Sequence, residues 1–92
     1  MQRKQLRVEQ ALLSKGFQQG ETHHHYFVYW TIEGRKTTSR TFTSHGTRDL
    51  DSYLLGKMAK QCQLTKPQFD ELIDCPMSRA QYEAILRQKG VA

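Results

Sequence analysis

Residues 23–32 carry the most regular pattern of the chain, because large aromatic and β-branched side chains follow one another there. Such residues favour strands, and successive side chains of a strand point to opposite faces. Alternation therefore predicts one face with His24, Tyr26, Val28, Trp30 and Ile32, and an opposite face with His23, His25, Phe27, Tyr29 and Thr31. Because both faces carry large side chains, we expect a central strand.

A β-hairpin is predicted next, since Glu33-Gly34 is a turn pair and residues 35–44 can return as a second strand. That strand is rich in threonine, and Phe42 is its one large apolar residue. Its residues 35–40 all have side chains that can donate hydrogen bonds to phosphate. Residues 17–19 can begin a further short strand, so the expected sheet has two or three strands.

Apolar positions at three- and four-residue spacing predict helices on both sides of this sheet. The first covers residues 3–15 and ends at Gly16, and the second covers residues 48–62 with Thr47 or Asp49 as its cap. Residues 65–92 twice show a capping hydroxyl followed three positions later by glutamine, which predicts two short helices. The expected buried stripes are Leu6, Leu12 and Leu13 with Val8 or Gln10 at the edge; Leu50, Tyr53, Leu54 and Met58; Phe69, Leu72 and Ile73; and Tyr82, Ile85 and Leu86.

These elements predict one α+β domain over residues 1–92: a helix, a two- or three-stranded antiparallel sheet, a helix, and two short C-terminal helices. A domain of 92 residues has little room for an enclosed active site, so we expect any catalysis on a groove or open face, which favours a polymeric substrate. Two cysteines, no apolar leader and no apolar run of membrane-spanning length predict a cytoplasmic protein with reduced thiols and no membrane contact.

The charge distribution favours RNA as a partner. The chain has 14 basic and 9 acidic residues, a formal net charge of +5. Residues 1–50 hold eight basic and four acidic residues, whereas residues 51–92 hold six and five. The half that contains the histidines therefore carries the positive field, which attracts polyanions and also aids solubility.

The histidines at 23–25 are the main candidates for chemistry. Histidine ordinarily titrates near neutrality, so a strand histidine can act as general acid or base when RNA is cleaved by internal attack. Cations must stabilise the charge that develops on the phosphate. We expect His24 to act on the proton, with Arg35, Lys36 and Arg40 as RNA-binding groups; the alternative for His24 is a partly buried side chain hydrogen-bonded in the sheet.

Two other interpretations of this strand stay open. His23 and His25 share a face and could form a metal pair, but no cysteine or carboxylate cluster joins them, so we predict no metal and no other cofactor. Tyr26, Tyr29 and Trp30 are either stacking surfaces for bases or part of the sheet core.

Three short segments, taken in order, resemble the HicA toxins, a family of small ribonucleases with a fold like the double-stranded RNA-binding domain. Leu-Leu-Ser-Lys-Gly-Phe at residues 12–17 is similar to the family's first helix and its exit. Gly-Glu-Thr-His-His at residues 20–24 is similar to its Gly-Ser-x-His element with one residue inserted. Ser-His-Gly at residues 44–46 is similar to the bend before its second helix, and the match continues at Asp49, Leu50, Leu54, Lys57, Met58, Lys60 and Gln61.

The resemblance covers residues 6–64 and implies a metal-independent enzyme that cleaves mRNA, depends on a strand histidine, and is neutralised by a HicB-like antitoxin protein. Alignment from Gly20 selects His23 as that histidine. Alignment from Tyr26 selects His24, which we favour because the strand pattern is the stronger anchor. His45 matches the bend and joins the RNA-binding candidates. Residues 65–92 lie beyond the resemblance, as a helical extension that covers the sheet edge, mediates dimerisation or occludes the nuclease face.

The alternative function is a non-catalytic module that binds RNA or protein with the same fold. A protein that binds double-stranded RNA would be expected to place lysines and arginines at the start of its last core helix. Here the start of that helix, residues 47–51, contains Asp49 and Asp51. The two acids favour the RNA-cleaving enzyme over the binding module.

Overall fold

The computed structural model confirms the α+β class and describes residues 3–21, 24–44, 49–74 and 76–92. Gly16, with φ of 99°, ends the first helix at a backbone conformation that side chains other than glycine's disfavour. In chain order the described elements are β1 (Arg3–Lys4), α1 (Gln5–Ser14), β2 (Phe17–Glu21), β3 (His25–Trp30), β4 (Lys36–Thr43), β5 (Asp49–Leu50), α2 (Ser52–Gln61), α3 (Lys66–Asp74) and α4 (Arg79–Gln88).

The described strands form two antiparallel sheets. The larger has the order β2-β3-β4, so the strand predicted to be central does lie in the middle. The short strands β1 and β5 pair separately, Arg3 opposite Leu50. The sheet therefore has three strands, flanked in the chain by α1 and α2, as the predicted element order requires.

Helices α1, α2 and α4 pack on one face of the three-stranded sheet, which we call the inner face, and α3 packs against α1 and α2. One apolar cluster joins the inward side chains of the sheet (Phe17, Phe27 and Tyr29) to side chains of each helix, among them Val8, Leu55, Leu72 and Leu86. The opposite face, called the outer face, bears the exposed Thr38, Arg40 and Phe42 of β4. No described helix covers it.

The inner face of β4 is made of hydroxyl side chains rather than apolar ones. Ser39 Oγ lies 2.6 Å from the hydroxyl of Tyr82, Thr41 Oγ1 donates to Gln61 Oε1 at 2.6 Å, and Thr43 Oγ1 donates to Glu9 Oε2 at 2.6 Å. Thr37 Oγ1 donates to the carbonyl of Tyr29, next to a register shift between β3 and β4. Because these hydroxyls are buried and bonded, Thr37 and Ser39 cannot donate to a phosphate on the surface, although their side chains are of a type that can.

Two of the predicted buried stripes are partly wrong. In α1 the inward residues are Gln5, Val8 and Leu12, while Leu6 and Leu13 are 54% and 44% exposed. The buried residues of α1 are those on the side of the helix that contacts β2 and α3. Gln5 can be buried on that side because its side-chain amide donates to the Ser44 carbonyl at 2.7 Å.

In the second helix the error comes from where the helix begins. The side chain of Asp51 accepts the capping hydrogen bond from the Leu54 N–H at 2.9 Å, so the predicted cap Asp49 is wrong; Thr47, the other predicted cap, lies outside the described residues. The helix therefore starts at Ser52, its buried residues are Leu55, Met58 and Ala59, and Tyr53 is 75% exposed.

The C-terminal extension thickens the helical layer and leaves the outer face open. The two predicted helix starts are confirmed, since Thr65 and Gln68 exchange hydrogen bonds and Ser78 and Gln81 form a capping box. The Tyr82 ring of α4 packs against Phe17 and Tyr29 of the sheet, with ring centroids 5.6 and 5.0 Å apart. The described part of the extension therefore does not occlude the face on which His24 lies.

Candidate RNA-binding site

The outer face presents aromatic and basic side chains along β3 and β4. Cross-strand neighbours on a strand pair share one face, and the register brings together three such pairs. They are Tyr26 with Phe42, Val28 with Arg40, and Trp30 with Lys36. Of these residues Val28 is buried, Tyr26 and Trp30 are half-buried, and the other three are exposed.

His24 lies at one end of this face, immediately before β3. Its imidazole is exposed, and its ring centroid is 6.5 Å from that of Phe42, in an edge-on arrangement. Strand alternation thus correctly placed His24 on the side of Tyr26. It is not the partly buried residue of the alternative interpretation. An exposed imidazole at the end of a strand can donate a proton to a bound molecule or accept a proton from it.

The predicted cations lie at different distances from the histidine along the hairpin. The guanidinium carbon of Arg40 lies 5.9 Å from the Phe42 ring centre, so Arg40 and His24 flank the same ring. Lys36 is further along the strand, opposite Trp30. Arg35 is in the turn, where its backbone N–H donates to Thr31 Oγ1 at 2.9 Å. The structure therefore places Arg40 and His24 at the same ring and leaves Arg35 and Lys36 towards the hairpin turn.

These cations are not neutralised by the part of the chain that the structure describes. No described carboxylate forms an ion pair with Lys36, Arg40 or the exposed Lys57, and the segments 25–30 and 36–43 contain no acidic residue. Unpaired, exposed cations beside an imidazole make this surface complementary to a polyanion.

A groove runs from His24 to helix α2 and adds a cation that the sequence analysis did not select. Its volume is about 320 Å3, and its lining includes polar side chains (His24, Ser44, Lys57 and Gln61) and apolar ones (Phe42, Leu54 and Met58). Lys57 comes from α2, which begins at Ser52, 28 residues after His24 in the chain, where Asp51 caps it. The sequence offered one signal for Lys57, its place among the residues that resemble the HicA family. A helical pattern alone does not distinguish Lys57 from other exposed lysines.

His25 faces the other way and meets a carboxylate. Its Nδ1 is 3.4 Å from Glu9 Oε2 of α1, and the two side chains are 20% and 12% exposed. Thr43 and Gln5 donate hydrogen bonds to the same oxygen, Glu9 Oε2, at 2.6 and 3.2 Å. This cluster joins α1 to the end of the sheet, and it lies on the inner face, opposite to His24. Sequence reasoning missed it because Glu9 and His25 belong to elements with no local relationship.

Two predicted site residues, His23 and His45, lie outside the described residues. Among the described residues, no group of three or more His, Cys, Asp or Glu side chains converges as a metal site would require. The described helices also include none with the length and apolar character needed to cross a bilayer.

Comparison with known proteins adds no relative. No family model, no curated protein and no solved structure matches this chain.

Proposed function

We propose that this chain is a HicA-like endoribonuclease of the toxin type, which binds RNA and cleaves it without a metal, with His24 as a general acid or base. One observation carries the proposal: the exposed imidazole of His24 and the guanidinium of Arg40 lie against the same ring, Phe42, at 6.5 and 5.9 Å. The resemblance of residues 6–64 to that family supports it, together with the element order of the fold.

The chemistry that fits these groups is internal attack. The 2′-oxygen of a ribose forms a bond to the adjacent phosphorus while the bond from phosphorus to the 5′-oxygen breaks. A base takes the 2′-hydroxyl proton and an acid protonates the leaving oxygen, so the products are a 2′,3′-cyclic phosphate and a 5′-hydroxyl. His24 fits either proton-transfer role, while Arg40 and Lys57 offer positive charge to the phosphate oxygens.

A protein partner is part of the proposal. If the chain is a toxin of this type, a HicB-like antitoxin has to exclude RNA from His24. The outer face and the groove beside it are the surfaces that such a partner would cover, since both are open in the described part of the chain.

The proposal is tested by incubating end-labelled RNA with the purified protein in the presence of EDTA. We expect His24→Gln to lower the cleavage rate about 100-fold or more, and Arg40→Gln and Lys57→Gln to lower it about tenfold or more. Lys4→Gln, at an exposed lysine of β1, is the matched control and should leave the rate unchanged. His23→Gln and His25→Gln are measured in parallel, and equal rates for wild type and all three histidine variants would remove these histidines from the mechanism.

A second candidate is a module that binds RNA without cleaving it. The observation in its favour is that His25 turns to Glu9 on the inner face, so among the described residues His24 alone brings an imidazole to the outer face. Cleavage by internal attack uses both an acid and a base. RNA that binds and stays intact, with the same affinity for wild type and His24→Gln, would select this function.

A further inference from the structure

The ring of Tyr26 is supported by a glycine on the neighbouring strand. β2 and β3 place Gly20 directly opposite Tyr26 on the outer face. A Cβ at residue 20 would lie 2.2, 2.3 and 2.6 Å from three atoms of the Tyr26 phenol, so a side chain there would displace the ring. The ring therefore lies across β2, on the space that glycine leaves empty, and the backbone beneath holds it in place.

A second ring extends this surface. Phe42 lies across from Tyr26 with ring centroids 6.5 Å apart, and Phe42 is 39% exposed. A large apolar side chain usually turns inward in a half-buried strand, but here the inward positions of β4 hold the bonded hydroxyls of Thr41 and Thr43. Two neighbouring rings thus lie on a face that none of the described helices covers.

Cations border the rings on the side towards the hairpin turn. Next to the ring pair, a depression of about 370 Å3 lies over Val28 and is bordered by Lys36, Thr38 and Arg40. Arg40 also lies over the Phe42 ring. Rings for bases and cations for phosphates are the two components with which proteins hold single-stranded nucleic acids.

We propose that Tyr26 and Phe42 form a stacking site for an unpaired base, and that Arg40 and Lys36 bind the phosphates next to it. This inference rests on the proposed function, because it concerns the same outer face, and it names the substrate class as single-stranded RNA. A paired base has its faces covered by its neighbours in the helix, so a duplex offers nothing to these rings.

Charge favours RNA over a second copy of this chain as the occupant of this open sheet face. A second copy would also cover the two rings, but it would then have to neutralise Lys36 and Arg40, for which its own β3 and β4 provide no carboxylate. A second copy, with the same cations on the same face, would bring like charges together.

Binding is measured by fluorescence anisotropy with a labelled octanucleotide whose riboses are 2′-O-methylated, so that it cannot be cleaved by internal attack. We expect Tyr26→Leu, which keeps an apolar side chain over Gly20 but removes the aromatic face, to weaken binding about tenfold. Gly20→Ala should weaken it similarly, because its methyl group displaces the Tyr26 ring. Leu6→Ala, at an exposed apolar residue of α1, is the control and should bind as wild type does.

Two further ligands isolate the role of the bases. An abasic strand of the same length carries the same phosphates, and a duplex of the same sequence hides its base faces. Both should bind about tenfold or more weakly than the single strand. Equal affinity for the abasic strand, or equal affinities for Tyr26→Leu and wild type, would overturn the stacking site. Circular dichroism confirms that each variant is folded.

The outcomes separate this inference from the proposed function. Tyr26-dependent binding that persists in His24→Gln, in a protein that cleaves nothing, supports the stacking site and removes the nuclease. Cleavage that depends on His24 but not on Tyr26 supports the nuclease and removes the stacking site. Concentration-dependent self-association that Tyr26→Leu abolishes, without binding of any RNA, would identify a second copy as the occupant and overturn the inference.

Discussion

The attachment of the C-terminal helix to the sheet makes a testable prediction through Glu83. This residue is 3% exposed, and its carboxylate accepts hydrogen bonds from Tyr29 Oη, the Ile32 N–H and Arg87 Nη2, each at 2.8 Å. Burial by itself raises the pKa of Glu83, but the donors outweigh it and hold that pKa below its usual 4.5. Glu83→Gln removes the charge and keeps the shape.

The cost of this substitution follows from the contacts. Glutamine can still accept from Tyr29 and Ile32, but a hydrogen bond to a charged group contributes about 1.5–3 kcal/mol and a neutral one about 0.5–1.5 kcal/mol. The substitution therefore loses roughly 1 kcal/mol at each of these two bonds. The ion pair with Arg87, whose side chain is 52% exposed, adds at most about 1 kcal/mol. We expect Glu83→Gln to lower the free energy of unfolding by about 2–3 kcal/mol at pH 7.

The pH dependence has a definite sign. Because the folded-state pKa of Glu83 is lowered, its carboxylate stabilises the fold fully at pH values above the unfolded-state pKa of 4.5. This stabilisation is lost as the pH falls through the lower folded-state pKa, since wild type then carries a neutral acid too. The difference between wild type and Glu83→Gln should therefore shrink below about pH 4.

Urea unfolding followed by circular dichroism and by the fluorescence of Trp30, the single tryptophan, measures this difference between pH 7 and pH 3.5. Trp30 reports on this junction because Arg79 of α4 donates to its carbonyl at 2.9 Å. Glu71→Gln, at an exposed acid of α3, is the control and should change stability by less than about 0.5 kcal/mol. A cost for Glu83→Gln that is equal at both ends of the pH range, or no larger than that of Glu71→Gln, would refute the reasoning.

Two more predictions concern buried polar groups. The hydroxyl of Tyr82 lies 2.6 Å from the hydroxyl of Ser39 and donates to the carbonyl of Cys62 at 2.9 Å. Tyr82→Phe leaves both groups without this partner and should lower the free energy of unfolding, measured by heat or urea, by about 1–3 kcal/mol. Tyr53→Phe, which removes the same atom from an exposed ring, should cost almost nothing, and equal costs would contradict the network. Burial raises the pKa of the Cys62 thiol and shields it from reagents. In a Cys75→Ser variant, a thiol reagent at pH 8 should therefore react with Cys62 only when the protein unfolds. Rapid labelling of the folded protein would contradict the burial of Cys62.

The strand pattern predicted the candidate site better than the helix patterns predicted the core. Alternation from residue 24 onwards correctly grouped His24, Tyr26 and Trp30, because the period of a strand is fixed by its pleat. The helix stripes were less certain, since α1 has apolar residues on more than one side. Packing against β2 and α3 selected Gln5, Val8 and Leu12 and left Leu6 exposed.

Local sequence determined what depends on neighbouring residues: the strand alternation, the hairpin turn, and the capping boxes that begin α3 and α4. Only the tertiary structure decided which side of the sheet the helices cover, because both faces of β3 carry large side chains. The hydroxyls of Ser39, Thr41 and Thr43 face inward since their partners come from α4, α2 and α1, and Phe42 and Arg40 therefore face solvent beside His24. The pairing of His25 with Glu9 and the approach of Lys57 to His24 have the same origin, because contacts between elements distant in the chain leave no periodic trace in the sequence.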